Sequence, residues 1–318
     1  MNIIEEATKR LEQLGKAGIP VSGKPEAARR GNGEDRSYPD PIPQQVGEAA
    51  GSSKRAREPG VGAQETRTEP ALSGSAAAGP NFLNLDFGRL QANGIITPAA
   101  PNQQLLHEFR VIKRPLIRNA LGKSAAPLTH GNLIMVTSSL PGEGKTFVAL
   151  NLAMSIAMEV DSTVLLVDAD VVAPSIPRVL GVRPGKGLMD VLTEPGLGFG
   201  DVMLKTNVNR LALVLAGTPH RRASEMLASE AMVDMLNEVS SRYPDRIVIF
   251  DSPPLLATTE SRVLASHMGQ VVVVVEADRT THGTLETALS TVESCPVVLT
   301  MLNKASASDV GAYYGYYG

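Results

Sequence analysis

Lys145 and Thr146 stand side by side after the turn Pro141-Gly142-Glu143-Gly144 and ahead of a helical run, FVALNLAMSIAMEV. Before the turn lies an apolar, β-branched stretch, Leu133 to Val136. Strand, glycine turn and helix in that order make a phosphate cradle. The glycines let successive backbone N–H groups converge on an anion, and the helix N-terminus adds positive potential. In such a cradle Lys145 reaches the β/γ-phosphates of ATP and Thr146 places its hydroxyl on Mg²⁺. Residues Pro141, Gly142, Glu143, Gly144, Lys145 and Thr146 are therefore the expected nucleotide-binding loop. The usual pattern starts with glycine six residues before the lysine, where this chain has Ser139. The plainer alternative is a glycine turn with an exposed lysine.

Three aspartates complete the set. Asp168 closes the apolar run VLLVD, Asp170 follows, and Asp251 closes IVIFD. A carboxylate at the end of a buried strand, facing a phosphate loop, suits Mg²⁺, which keeps several waters and takes one or two carboxylates beside phosphates. Asp168 and Asp251, with Thr146, are the expected metal ligands. Lys145, Asp168, Asp170 and Asp251 are the expected catalytic groups. Taken singly, an aspartate here could be a helix cap or a turn residue, and Asp170 is open to either reading.

Placing these residues together requires strands that end at one edge. Apolar runs at 133–138, 163–168, 211–215, 246–251, 270–276 and 296–302 alternate with helical patterns at 145–158, 175–181, 223–241, 258–267 and 281–293. Near-continuous apolar strands are buried on both faces. That predicts an α/β fold, a mainly parallel twisted sheet flanked by helices, with ligands at the carboxyl ends of the strands.

The remaining chain divides by composition. Residues 1–14 place Ile3, Ile4, Ala7, Leu11 and Leu14 at helical spacing, a short amphipathic helix. Residues 15–80, rich in Gly, Pro, Ala, Ser, Glu and Arg, predict a disordered linker. The basic cluster Lys54-Arg55-Ala56-Arg57 is flanked by acids and lacks aromatics, so no nucleic-acid partner is expected. Residues 81–132 form an arm and a basic helical segment, HEFRVIKRPLIRNA, interrupted by Pro115. The catalytic domain is expected over 133–304. Residues 305–318 form a flexible tail that holds Tyr313, Tyr314, Tyr316 and Tyr317, four of the chain's six tyrosines. The tail has no periodicity that would bury the rings, which leaves exposed hydroxyls able to accept phosphate, or a sticky or stacking peptide. Hydrophobic residues make up 43% of the chain and the net charge is -3. A core is affordable in size, and a general polyanion binder is not indicated. A single cysteine, Cys295, excludes an internal disulfide and reads as a buried structural thiol. No run reaches the ~18 apolar residues of a membrane span. The acid-bearing N-terminus is unlike a signal peptide, so a cytoplasmic location is expected.

Together, PGEGKT, VLLVDADVVAP, IVIFDSPP and the tyrosine tail resemble the bacterial protein-tyrosine kinase family of exopolysaccharide and capsule export loci, over about residues 104–318. EFRVIKRPLIRNA and SEMLAS at 224–229 are similar as well. The resemblance implies a partition-ATPase-like P-loop fold and an ATP- and Mg²⁺-dependent autokinase that phosphorylates Tyr313, Tyr314, Tyr316 and Tyr317 between subunits. It implies that Asp168 or Asp170 helps to deprotonate the incoming tyrosine. It also implies a homo-oligomer, a separate membrane-embedded co-polymerase activator that holds the kinase at the inner membrane, and a cognate tyrosine phosphatase. Two positions depart from the family pattern. Val172 stands where an arginine is frequent, and the assembly helix reads His107, Arg110 and Lys113 in place of Glu-x-x-Arg-x-x-Arg, with Glu108 adjacent. The alternatives are a partition-type switch ATPase, whose signature lysine would fall at Leu140, and a nucleotide-binding regulatory scaffold.

Overall fold

Alternation along β-branched runs sends successive side chains to opposite faces of a sheet, and here both faces are covered. The computed structural model describes residues 81–99, 102–124, 128–242 and 245–306. The N-terminal helix, the linker, the four tail tyrosines, Tyr38 and Tyr243 lie outside the described residues.

In chain order the elements are β1 (Phe82–Leu83), α1 (Phe87–Ala92), α2 (Gln103–Ala120), β2 (Leu133–Ser138), α3 (Lys145–Ala157), β3 (Thr163–Asp168), α4 (Ile176–Leu180), α5 (Leu188–Thr193), β4 (Leu204–Thr206), β5 (Leu211–Val214), α6 (Ala223–Leu227), α7 (Glu230–Arg242), β6 (Arg246–Asp251), α8 (Glu260–Ala265), β7 (Gln270–Glu276), α9 (His282–Ser290) and β8 (Val297–Asn303). The sheet runs β1-β4-β5-β3-β6-β2-β7-β8. Every pairing is parallel except β4 with β5. The mainly parallel α/β fold read from the sequence is the fold observed.

Leu133 and Met135 of β2 enter a core layer shared with α5 to α9, while Ile134 and Val136 enter the opposite layer with α1 to α4. Each layer excludes water from one face, at roughly 25 cal/mol per Å² of apolar surface removed. β1 and β4 have no sequence signal because two or three residues are too few for a period. They form where the arm meets the domain. Asn207 clamps Leu85 there, accepting from its N–H at 2.9 Å and donating to its carbonyl at 3.0 Å. The Ile96 N–H donates to Asn151 Oδ1 of α3 at 2.8 Å.

One expectation for α2 is corrected. The helix is not interrupted at Pro115 but runs through it to Ala120. Pro115 lies on the exposed face, as does Val111, whose carbonyl loses its helical partner at the proline. Lys113 turns inward from the basic face of α2. It is buried, with Nζ 2.6 Å from the Ser155 carbonyl and 2.6 Å from Glu159 Oε1, and so pins α2 to the end of α3. Cys295 is buried against the carbonyls of Met268 and Val297.

Candidate active site

β2 delivers the chain to the loop Ser139–Gly144, and α3 begins at Lys145. The loop reverses direction through Gly142 and Gly144, at φ 90° and 99°, a conformation that side chains disfavour. A Cβ on Gly144 would lie 2.1 Å from Asn303 Nδ2, so a side chain there would also displace the Asn303 amide. No side chain caps α3. Its first-turn N–H groups therefore remain available to an anion.

Glu143 does not face outward. It is buried, and its carboxylate accepts from the Leu140 N–H at 2.6 Å and from the Thr280 hydroxyl. The loop is tied from outside as well. Asn303 Nδ2 donates to the Glu143 carbonyl at 2.8 Å, and Lys304 Nζ to the Gly142 carbonyl at 2.8 Å. Lys304 and Arg279 each lie 3.0 Å from Glu276. Sequence motifs missed Thr280, Asn303 and Lys304, because they gain meaning only where β7 and β8 end beside the loop. Ser139, in the place of the usual first glycine, is buried with its hydroxyl unpaired.

The aspartates converge on the same edge. Asp168 and Asp251 are register partners on β3 and β6, and with Asp170 they are at most 4% exposed. Lys145 Nζ pairs with Asp170 Oδ2 at 2.8 Å, while Asp170 Oδ1 accepts from the Ala173 N–H at 3.1 Å. Thr146 shares a 2.7 Å hydrogen bond with Ser175. Burial, then the charges of Asp251 and Asp170, push Asp168 up to about 8. Burial raises Asp251 to about 6, with Lys145 and the Thr146 hydroxyl pulling it back and Asp170 adding to the rise. Burial opposes the charge on Lys145, but Asp251, Asp170 and Asp168 outweigh it and hold its pKa above the ordinary value.

All four carboxylate oxygens of Asp168 and Asp251 are buried without a hydrogen bond of ordinary geometry. The donors around them, the backbone N–H groups of Asp170 and Ile176 and the Thr146 hydroxyl, compensate only weakly. Unpaired buried acceptors are costly, and hard oxygens of this kind beside a hydroxyl fit Mg²⁺. Among the described residues no three acidic, histidine or cysteine side chains could hold an ion by themselves. A cation here would therefore share its shell with water and phosphate oxygens.

Comparison with known proteins bears on this geometry. The family model described as ParA, NUBPL iron-transfer P-loop NTPase, matches residues 129–280. The putative tyrosine-protein kinase EpsB of Ralstonia nicotianae is 31% identical over 58% of this chain, and the tyrosine-protein kinase YwqD of Bacillus subtilis is 29% identical over 72%. The chain is thus similar in sequence to bacterial tyrosine kinases. It spans 24% of the length of EpsB and 93% of YwqD. The solved VpsO kinase domain superposes with a TM-score of 0.54 at 25% identity, over 64% of this chain and 98% of that one. Relative to the tyrosine-kinase pattern, the departure at Val172 is an exposed side chain, outside the buried cluster of aspartates.

Proposed function

We propose that this chain is an ATP-dependent protein-tyrosine kinase that phosphorylates Tyr313, Tyr314, Tyr316 and Tyr317, one subunit acting on the tail of the next. The observation that carries the reading is the pairing of Lys145 with the buried Asp170–Asp168–Asp251 cluster at the mouth of a phosphate loop, in a chain similar to YwqD over 93% of the length of YwqD. The loop N–H groups and Lys145 hold the phosphates, and Lys145 must exchange Asp170 for a phosphate oxygen. Thr146, Asp168 and Asp251 are the residues that would hold Mg²⁺, whose contribution is to neutralise charge on the phosphates. The tyrosine oxygen forms a bond to the γ-phosphorus as the bond to the bridging oxygen breaks and ADP leaves. The phenol proton passes to Asp168 or Asp170. A phenol of pKa ~10 gives up its proton in the transition state to an ionised carboxylate held within hydrogen-bond reach.

The resemblance extends the reading to a homo-oligomer that works with a membrane-embedded co-polymerase activator and a tyrosine phosphatase in exopolysaccharide synthesis or export. The test is incubation with Mg-ATP, with and without the activator's cytoplasmic tail, followed by phosphosite mapping in the wild type and in Lys145→Met. Label on the four tail tyrosines of the wild type alone is expected. ATP turnover without phosphotyrosine in either condition would favour a switch ATPase.

A further inference from the structure

Away from the nucleotide loop, α2 carries an uncompensated cationic stripe. Arg110, Arg114 and Arg118 recur every four residues and so share one helix face, with Lys123 just beyond the helix end. All four are exposed and line one groove of about 900 Å³ between α2 and the end of α3. Its one acid, Glu159, is taken by buried Lys113 at 2.6 Å. None of the four lining cations has an ion-pair partner among the described residues. Arg210 adds a further exposed cation, its guanidinium donating to the Glu159 carbonyl at 3.2 Å. Asp161 is the exposed acid on this turn.

The same turn projects apolar side chains. Met158, which lines the groove, is 37% exposed, and Val160 is 73% exposed. Cations flanking protruding apolar groups match an interface where headgroup phosphates give way to acyl chains. The direction is also consistent. Asn119, near the end of α2, donates to Gln270 at the start of β7 at 2.9 Å, so this face lies at the amino ends of the strands. The nucleotide loop lies at their carboxyl ends.

We infer that the face formed by Arg114, Arg118, Lys123, Arg210, Met158 and Val160 binds an anionic phospholipid surface directly, leaving the nucleotide loop turned away from the bilayer. Lipid is favoured over a phosphorylated peptide because the protruding Met158 and Val160 have no role in phosphate binding but gain by entering a bilayer. The inference is independent of the kinase reading.

The purified full chain is floated with vesicles of neutral phosphatidylcholine, or with ~30% phosphatidylglycerol added. Binding to the anionic vesicles alone is expected at about 0.1 M salt, and its loss at about 0.5 M, where screening shortens the electrostatic reach. The triple variant Arg114→Ala, Arg118→Ala and Lys123→Ala is expected to lose about 100-fold in vesicle affinity, roughly fivefold per cation. Its nucleotide binding and melting curve should stay unchanged. Arg110 is left intact because the family resemblance gives it a place in assembly. Failure to float at low salt, equal binding to neutral vesicles, or full binding by the triple variant would each overturn the assignment; the last would move the contact to another segment. A doubly phosphorylated tyrosine peptide is titrated in parallel. Peptide binding lost in the triple variant, with no vesicle binding, would make the stripe a phosphopeptide receptor instead.

Discussion

Asp168 and Asp251 are opposed across neighbouring strands with their oxygens largely unsatisfied, which is a cost the fold carries for the sake of a site. Burial and the neighbouring carboxylates raise Asp168 from 3.8 to about 8. The folded chain therefore holds this proton more tightly than the unfolded chain does. Stability falls as the pH rises from near 4 through about 8, because the unfolded state then ionises more easily. Asp168→Asn keeps the shape and removes the charge. Without nucleotide or metal, the variant should be more stable than wild type by at least about 1–2 kcal/mol at pH 8, with the gap closing only as the pH falls to about 4. Urea melts at the two pH values measure this, and equal stability at pH 8 would show that the charge is already compensated. The same variant should lose phosphotyrosine. Lys145 needs no such trade, since three carboxylates favour its charge.

At the scale of elements, the phosphate loop is held by its neighbours as much as by its glycines. Glu143 pins the Leu140 N–H from within, and Asn303 and Lys304 at the end of β8 hold the carbonyls of Glu143 and Gly142. Each such bond contributes about 1 kcal/mol. Asn303→Ala should therefore weaken ATP binding about fivefold while lowering the melting temperature by only about 2–4 °C, which titration with a fluorescent ATP analogue and a melting curve can read. Unchanged affinity would mean that the loop keeps its shape unaided. Motif reading found Lys145 and Thr146 because their chemistry is fixed by local order. It could not find Thr280, Asn303 or Lys304, which are distant in sequence and act only through the parallel pairing of β7 with β8.

For the whole molecule, the proposed transfer runs either between subunits or within one chain. Mixing Lys145→Met, tail intact, with a catalytically intact variant carrying Phe at positions 313, 314, 316 and 317 separates the two routes. Transfer between subunits should label Tyr313–Tyr317 of the inactive chain to near the wild-type level, as phosphosite mass spectrometry would show. Label absent from that chain would restrict transfer to a chain's own tail. The four-Phe variant alone should keep ATP binding and lose most label. Residual label would move the acceptor to Tyr38, Tyr243 or a hydroxyl residue.

The sequence alone determined the strand, loop and helix around Lys145, the two aspartates at strand ends, and the mainly parallel sheet. These follow from local periodicity and from apolar runs that must be buried on both faces. Only the tertiary structure decided that Asp168 and Asp251 meet in register, that Glu143 turns inward, and that α2 runs unbroken through Pro115. It also decided that buried Lys113 takes Glu159 as its partner, leaving the arginines of α2 without a counter-charge. Each of these depends on which residues, far apart along the chain, come within a few ångströms, and no local pattern encodes that distance.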